Sequence, residues 1–335
     1  MLAALVTAPN RIDIATVEPP EAQGRALIAV DRVGLCGTDN SILHGKIPVA
    51  YPRVLGHEVI GRVVRAGPRG EPAEGTRVLV NPSLACGRCT QCRADLAQLC
   101  PNGALMGRDS DGGFTEQIAV DEHQLLGVSD DLPRSAAALL QVLGTCVHAQ
   151  THLDHVFPGQ TAVVIGLGVS GFLMLQLMRA RGLQVLGVTR SAWKRSLGEQ
   201  LGAVAVVPPH DARQAVDDLT GGAGVDVSVE AVGTVETFAQ AIDLAGLGGQ
   251  VLLFGTIGGA PKAELPFYQL YYKELTIHNP RAARHRDYER GIALATSGAL
   301  DLEALFTHSF PLERASDAFD ALNNDPRALK VTLDP

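Results

Sequence analysis

At 335 residues the chain is too long for one typical domain, and with 46% hydrophobic residues it can bury a sizeable core in each of two. A net charge of -8 and a pI near 5.7, without any run of Lys or Arg, argue against a nucleic-acid or anionic-membrane partner. No uncharged apolar stretch is long enough to span a bilayer, and the first residues lack a basic region followed by an apolar core, so a soluble, cytoplasmic protein without a signal peptide is expected.

The 36 glycines and 4% aromatics suit a fold rich in tight turns and β-branched strands. Up to about residue 140, short apolar or alternating runs at 2–6, 25–33, 59–66, 77–80 and 114–120 predict an irregular, mostly antiparallel β domain. Residues 136–150, rich in Ala and Leu behind a Leu-Pro-Arg-Ser start signal, predict a helix. From 161 the rhythm changes to strands at 162–165, 185–188, 204–207, 225–230 and 250–254, with helices at 171–181, 193–201, 212–220 and 235–244 between them. Such alternation implies a doubly wound parallel sheet covered on both faces, and a sixth strand at 275–278 completes the order typical of dinucleotide binders. Two amphipathic helices, 287–296 and 312–322, and a strand at 329–333 close the chain.

The stretch Thr161-Ala-Val-Val-Ile-Gly-Leu-Gly-Val-Ser-Gly171 reads as the seat of a dinucleotide pyrophosphate. Gly166 permits the tight turn, Gly168 lets backbone amides approach the phosphates, Val169 follows it into the helix, and Gly171 brings helix and strand together. A helix N-terminus adds partial positive charge at that point.

Cys86, Cys89, Cys92 and Cys100 form a C-x2-C-x2-C-x7-C pattern on a polar loop spanning 84–101. Four thiolates can close a tetrahedral shell around Zn²⁺ and leave no position for substrate, which makes the site structural; an iron–sulfur cluster is the rival occupant. Cys36, in Gly34-Leu-Cys36-Gly-Thr38-Asp39, and His57 and Glu58, in Gly56-His57-Glu58, offer thiolate, imidazole and carboxylate from separate loops, the ligand set of an open catalytic zinc.

With Asp111-Gly-Gly-Phe114-Thr-Glu116 and Gly224-Val-Asp226-Val-Ser-Val-Glu230-x-x-Gly233, these motifs stand in the order of the zinc-dependent medium-chain alcohol dehydrogenases, and the chain resembles their polyol, sorbitol and threonine dehydrogenase branch over essentially its whole length. The resemblance implies a Rossmann dinucleotide-binding domain at 146–278 and a GroES-like catalytic domain made of 1–145 and 279–335. It implies that Cys36, His57 and Glu58 hold the catalytic zinc, that Thr38 bonds the substrate oxygen and passes its proton on, and that Asp39 orients His57. Thr145 corresponds to a residue packed on the nicotinamide, with a self-bonded helix threonine as the plain alternative. Gln141 stands where a Glu or Cys ligand is usual, a neutral and weaker donor.

The expected activity is reversible hydride transfer between an alcohol or polyol, or the matching carbonyl compound, and a nicotinamide coenzyme. The second strand ends in Thr189-Arg190-Ser191, with no carboxylate to repel a 2′-phosphate, so NADP(H) is favoured over NAD(H). The resemblance further implies a homodimer or homotetramer. The alternatives are a zinc-free, quinone-reductase-like member and a catalytically silent dinucleotide binder or redox sensor. His44, His148, His152 and His155 read as solvated or helix-surface imidazoles, Cys146 as a buried apolar residue, and Arg281, Arg284, His285 and Arg286 as a solvated basic face.

Overall fold

A computed structural model describes residues 1–259 and 264–335. The chain forms two units: Met1–Gly144 with Ala282–Gly298 and Leu302–Pro335, and Thr145–Arg281 with Ala299–Asp301.

In the first unit the main sheet runs in the order Leu125–Gly127, Arg77–Val80, Glu58–Arg65, Ala26–Gly34, Lys330–Asp334, Phe306–Pro311, with Gln117–Val120 also pairing on Ala26–Gly34. Neighbours are antiparallel except the last pair, which is parallel. Register shifts at Leu27/Ile28 and Val30/Arg32 mark irregularities in the central pairing, where the strand bends over the core. That core includes Ile28, Val33, Leu55, Val59, Val80 and Phe114, with Val331 and Leu333 from the last strand. Two register pairs matter for function: Gly34 lies opposite Glu58, and Thr332 lies opposite Gly34. Segments distant in sequence thus converge at one end of the central strands.

The second unit is a six-stranded, all-parallel sheet in the order Ala205–Val207, Gln184–Val188, Thr161–Ile165, Val225–Glu230, Ala245–Leu253, Thr276–His278. In chain order this is 3-2-1-4-5-6, the dinucleotide-binding topology whose ligand crevice opens beyond the carboxyl ends of strands one and four. One face packs Val163, Ile165, Leu186 and Val251 against helix residues Val216, Phe238 and Ile242. The architecture is the expected one, a GroES-like domain joined to a Rossmann sheet.

Local differences from the sequence-based expectation have physical causes. The expected strand at 114–120 begins only at Gln117, because the amides of Gly112, Gly113 and Phe114 donate to the carbonyls of Val54, Gly56 and Leu55 instead of entering the ladder. The expected helix at 136–150 is two helices, Arg134–Ala137 and Leu140–Gln150, separated by a tighter turn in which Leu139 N–H donates to the Ala136 carbonyl. Strands Arg11–Thr16 and Phe306–Pro311 and helices Gly37–Leu43 and Phe267–Tyr272 are not evident from residue pattern.

Candidate active site

Cys36 is the N-cap of helix Gly37–Leu43, and its sulfur accepts from Thr38 N–H at 3.4 Å. Asp39 closes the box by accepting from Cys36 N–H at 2.9 Å, so Cys-x-x-Asp plays the part usually taken by Ser-x-x-Glu. The Asp39 side chain is fully buried. Its other oxygen takes Gly56 N–H at 3.2 Å and lies 3.4 Å from His57 Nδ1. One carboxylate therefore fixes both loops, and Nδ1 of His57 faces Asp39, which leaves Nε2 for another partner. Burial opposes charge on His57, but Asp39 and Cys36 outweigh it and push its pKa up to about 10. Burial also raises the Cys36 thiol, and His57 more than offsets that, so it sits below the ordinary thiol range. These are donors that compete for protons and release them to a cation.

Ligand atoms of Cys36, His57 and Glu58 all lie within 4.8 Å of one another. Sulfur, imidazole and carboxylate at that closeness fit the donor set of zinc. Glu58 is also in direct contact with the ammonium of Lys330, and both side chains are 2% exposed. Pattern reading passes over Lys330, although a lysine inside the apolar run Leu-Lys-Val-Thr-Leu is a signal. Gly34 makes room for this pair, since a Cβ there would push on both the Glu58 carboxylate and the Lys330 side chain.

Thr38 is half-buried in the first turn of the Cys36 helix. Gln141 is buried at the second position of helix Leu140–Gln150, and its amide nitrogen donates to the hydroxyl of fully buried Tyr288 at 3.4 Å, which leaves its oxygen free to accept or ligate. Tyr288 is held in turn by the ring's close fit over Gly144. His44 is exposed and bonded to Asn10 at 2.6 Å. The basic group at 281–286 is partly consumed by the fold: Arg284 pairs with buried Asp287, and Arg286 reaches Asp95 at 2.9 Å.

The four lobe cysteines are free thiols whose sulfurs also lie within 4.8 Å of one another, with separations of 3.4 Å for Cys89–Cys92, 3.9 Å for Cys89–Cys100 and 4.0 Å for Cys86–Cys92. A tetrahedral shell with Zn–S bonds of about 2.3 Å has edges of about 3.8 Å. The lobe therefore fits a metal and is far too open for a disulfide. Amides of Arg88 and Cys89 pull the Cys86 thiol down to about 6, and partial burial together with the other sulfurs pushes Cys92 up.

In the second unit Gly166 has φ +94, a turn that favours glycine, and a Cβ on Gly171 would collide with the Gly166 carbonyl. Gly168 caps helix Val169–Ala180, and the space beside its Cα is free of protein atoms. Strand two ends in half-buried Thr189, exposed Arg190 and half-buried Ser191, the N-cap of helix Ala192–Gln200. Arg195 curls back from that helix to the Arg190 carbonyl at 3.1 Å, a second guanidinium at the strand end that spacing does not reveal. Thr145 opens the second unit, half-buried in its helix.

A dinucleotide-binding sheet in one unit and a Cys–His–Glu donor set in the other define an NAD(P)-dependent oxidoreductase. Residues 22–130 match the family model of the alcohol dehydrogenase GroES-like domain, and residues 166–297 that of zinc-binding dehydrogenase. The chain is 30% identical to 2-dehydro-3-deoxy-L-galactonate 5-dehydrogenase of Pseudoalteromonas atlantica, over 94% of this chain and 92% of the relative. It is 31% identical to L-threonine 3-dehydrogenase of Pyrococcus horikoshii over 91% and 89% of the two chains. The crystal structure of a zinc-binding dehydrogenase from Sinorhizobium meliloti 1021 bound to NADP superposes with a TM-score of 0.91 at 32% identity, covering 100% and 99% of the two chains. The protein belongs to the zinc-type medium-chain dehydrogenase/reductase family and is related to its polyol, sugar and threonine dehydrogenases. Among the described residues no helix is long and apolar enough to cross a membrane.

Proposed function

We propose that the chain is a zinc-dependent dehydrogenase that moves a hydride between the carbinol carbon of an alcohol or polyol and C4 of NADP(H), in either direction. The closeness of the Cys36, His57 and Glu58 ligand atoms, with His57 and Glu58 buried, carries this reading. Those three residues would hold the catalytic zinc, with the Gln141 oxygen as a weak further donor. The chemistry a bound zinc supplies is Lewis-acid polarisation of the substrate oxygen. Asp39 keeps His57 in the tautomer whose Nε2 can ligate, and the Thr38 hydroxyl takes the substrate's proton and passes it outward. The four-cysteine lobe holds a second, structural zinc. Gly166, Gly168, Val169 and Gly171 seat the pyrophosphate, and Thr145 lies against the nicotinamide. A homodimer or homotetramer is supported by the exposed aromatic helix Phe267–Tyr272 and exposed Ile277 on the outermost strand. The test is a screen of secondary alcohols, polyols and carbonyl compounds, followed by coenzyme absorbance, on protein purified without chelator and assayed for metal. Full activity after complete removal of metal would sink the proposal.

The NADP(H) preference rests on Thr189, Arg190 and Ser191, joined by Arg195, and the relative from S. meliloti is itself bound to NADP. Arg190→Ala should lower kcat/KM for NADP(H) by about 10- to 100-fold, the worth of a charge-assisted contact, and leave NAD(H) kinetics nearly unchanged. Equal kinetics with both coenzymes before and after the substitution would refute the role.

Gln141→Glu adds a negative charge to the proposed metal shell. Zinc affinity should rise at least about tenfold, read by chelator competition, and the kinetic pKa should move up because the metal becomes less electrophilic. Unchanged affinity and pH profile would place residue 141 outside the metal's surroundings.

A further inference from the structure

The segment Gly224-Val-Asp226-Val-Ser-Val-Glu230 carries two acids with no part in the proposed hydride transfer, at opposite ends of strand Val225–Glu230. Asp226 is occupied structurally, since it accepts from Thr161 N–H and Oγ–H, each at 2.8 Å, and from Gln160 Nε2 at 3.3 Å, tying the starts of strands one and four together. Glu230 sits at the other end, where the topology opens its ligand crevice. It is fully buried, and its register partner is Ile165, the last residue before the glycine turn.

Its Oε1 takes three donors at once: Val232 N–H and Gly233 N–H, each at 2.8 Å, and Thr237 Oγ–H at 2.7 Å. Its Oε2 has no hydrogen-bond partner, and no ion pair neutralises the carboxylate among the described residues. Around it the sheet face is apolar, with Val163, Ile165 and Val251, and the next residue toward the strand start on that face is Ser228, whose hydroxyl has no partner among the described residues. A carboxyl group so placed is costly to bury, and the three donors on Oε1 are what offset that cost.

Two of those donors, Val232 and Gly233, belong to the turn at 231–234. Ala231 N–H donates to the Ile165 carbonyl at 2.9 Å, which seats the turn on the glycine loop. A Cβ on Gly166 would strike Val232. Gly233, at φ +91, abuts Thr256, and Gly255 abuts both Gly233 and the Glu230 carboxylate. One side chain thus sets the relative positions of three crevice loops: the glycine turn, residues 231–234 and residues 255–256. Residues 189–191, at the end of strand two, lie on the adenosine side of the topological switch point. Loops after strands four and five therefore border the other half of the coenzyme.

We infer that Glu230 is a positioning residue for the nicotinamide half of the coenzyme, acting through the 231–234 and 255–256 loops. The inference rests on the reading of the glycine turn as the coenzyme seat. Glu230→Gln keeps an oxygen for the three donors but replaces Oε2 with an NH2 group that meets no acceptor; Thr237→Val removes one donor and leaves the carboxylate. Binary dissociation constants are to be measured for NADPH, NADH and the fragments AMP and 2′,5′-ADP, which end within the adenosine half, with kcat followed alongside. Both variants should weaken NADPH and NADH by about tenfold and lower kcat, while fragment affinity stays at the parent value. Equal loss for fragments and whole coenzymes would show a general effect on the domain and overturn the proposal, as would unchanged coenzyme affinity. If Glu230→Gln does not fold, Thr237→Val decides. If the parent protein binds neither coenzymes nor fragments, the reading of the glycine turn falls first, and this inference with it.

Discussion

Lys330→Met is expected to destabilise the metal-free protein by about 3–5 kcal/mol, because it leaves the Glu58 carboxylate buried and unpaired. The same substitution should cost much less in the zinc-loaded protein. A divalent cation between Cys36, His57 and Glu58 supplies the positive charge that the lysine supplied, and anything that binds only the folded state adds its own stabilisation. Denaturant midpoints with chelator and with zinc give the two numbers. The double variant Glu58→Gln with Lys330→Met should recover most of the loss in chelator, because an amide and a thioether tolerate burial better than a lone charge, yet it should bind zinc more weakly than the parent. Equal losses with and without zinc would mean that Lys330 and the metal do not share Glu58. A loss under about 1 kcal/mol would mean that the pair adds nothing beyond an exposed ion pair.

Lys330 also shows where sequence reading stops and why. Period and turn chemistry reveal the alternation of strands and helices after residue 161, because strands such as Thr161–Ile165 and Gln184–Val188 are short apolar runs and helices such as Ala212–Thr220 and Val235–Leu244 carry a polar face. The first unit is harder. Strand Phe306–Pro311, Phe-Thr-His-Ser-Phe-Pro, has three polar residues in its centre and is held by parallel pairing with Lys330–Asp334, a partner that no local window contains. Helix Gly37–Leu43 begins Gly-Thr-Asp-Asn-Ser, the composition of a turn, and it forms because Cys36 and Asp39 cap its N-terminus reciprocally. The residue types around the site are visible as motifs, since Cys, His and Glu beside glycines are chemically conspicuous. The groups that steady them are not: Lys330 meets Glu58 only through the Thr332–Gly34 register, and Tyr288 meets Gln141 across 147 positions of sequence. Arg195 is hidden for a smaller reason, because a helical arginine five residues past Arg190 points back to the strand end only once the Ser191 cap sets the helix direction.

Cys100→Ser should remove one metal ion per chain and lower the thermal midpoint before it alters the chemistry. Zinc tolerates a hydroxyl in place of a thiolate poorly, and the lobe has little else to hold it. Its regular structure is a helix at Thr90–Arg93, a 3-10 turn at Ala97–Leu99 and a two-residue pairing of Ser83–Leu84 with Ala104–Leu105. Of the four sulfurs only Cys100 belongs to a buried residue, so almost no apolar core would survive loss of the ion. The effect should not stay in the lobe. Asp95, at φ +57 just past the Thr90–Arg93 helix, holds Arg286, and Arg286 lies in the first turn of the helix His285–Thr296 that carries Tyr288 against Gln141. A lobe without metal therefore loosens this half-exposed contact while the Arg284–Asp287 pair still holds the helix start, so amide exchange should quicken strongly at 86–100 and only slightly at 286–290 in Cys100→Ser, and exchange in the parallel sheet at 161–165 stays slow. Activity per folded molecule should fall only modestly, because none of the lobe sulfurs belongs to the Cys36 group. Iron with acid-labile sulfide in the parent protein would overturn the structural-zinc assignment. An unchanged metal count in the variant would show that the four sulfurs do not share an ion.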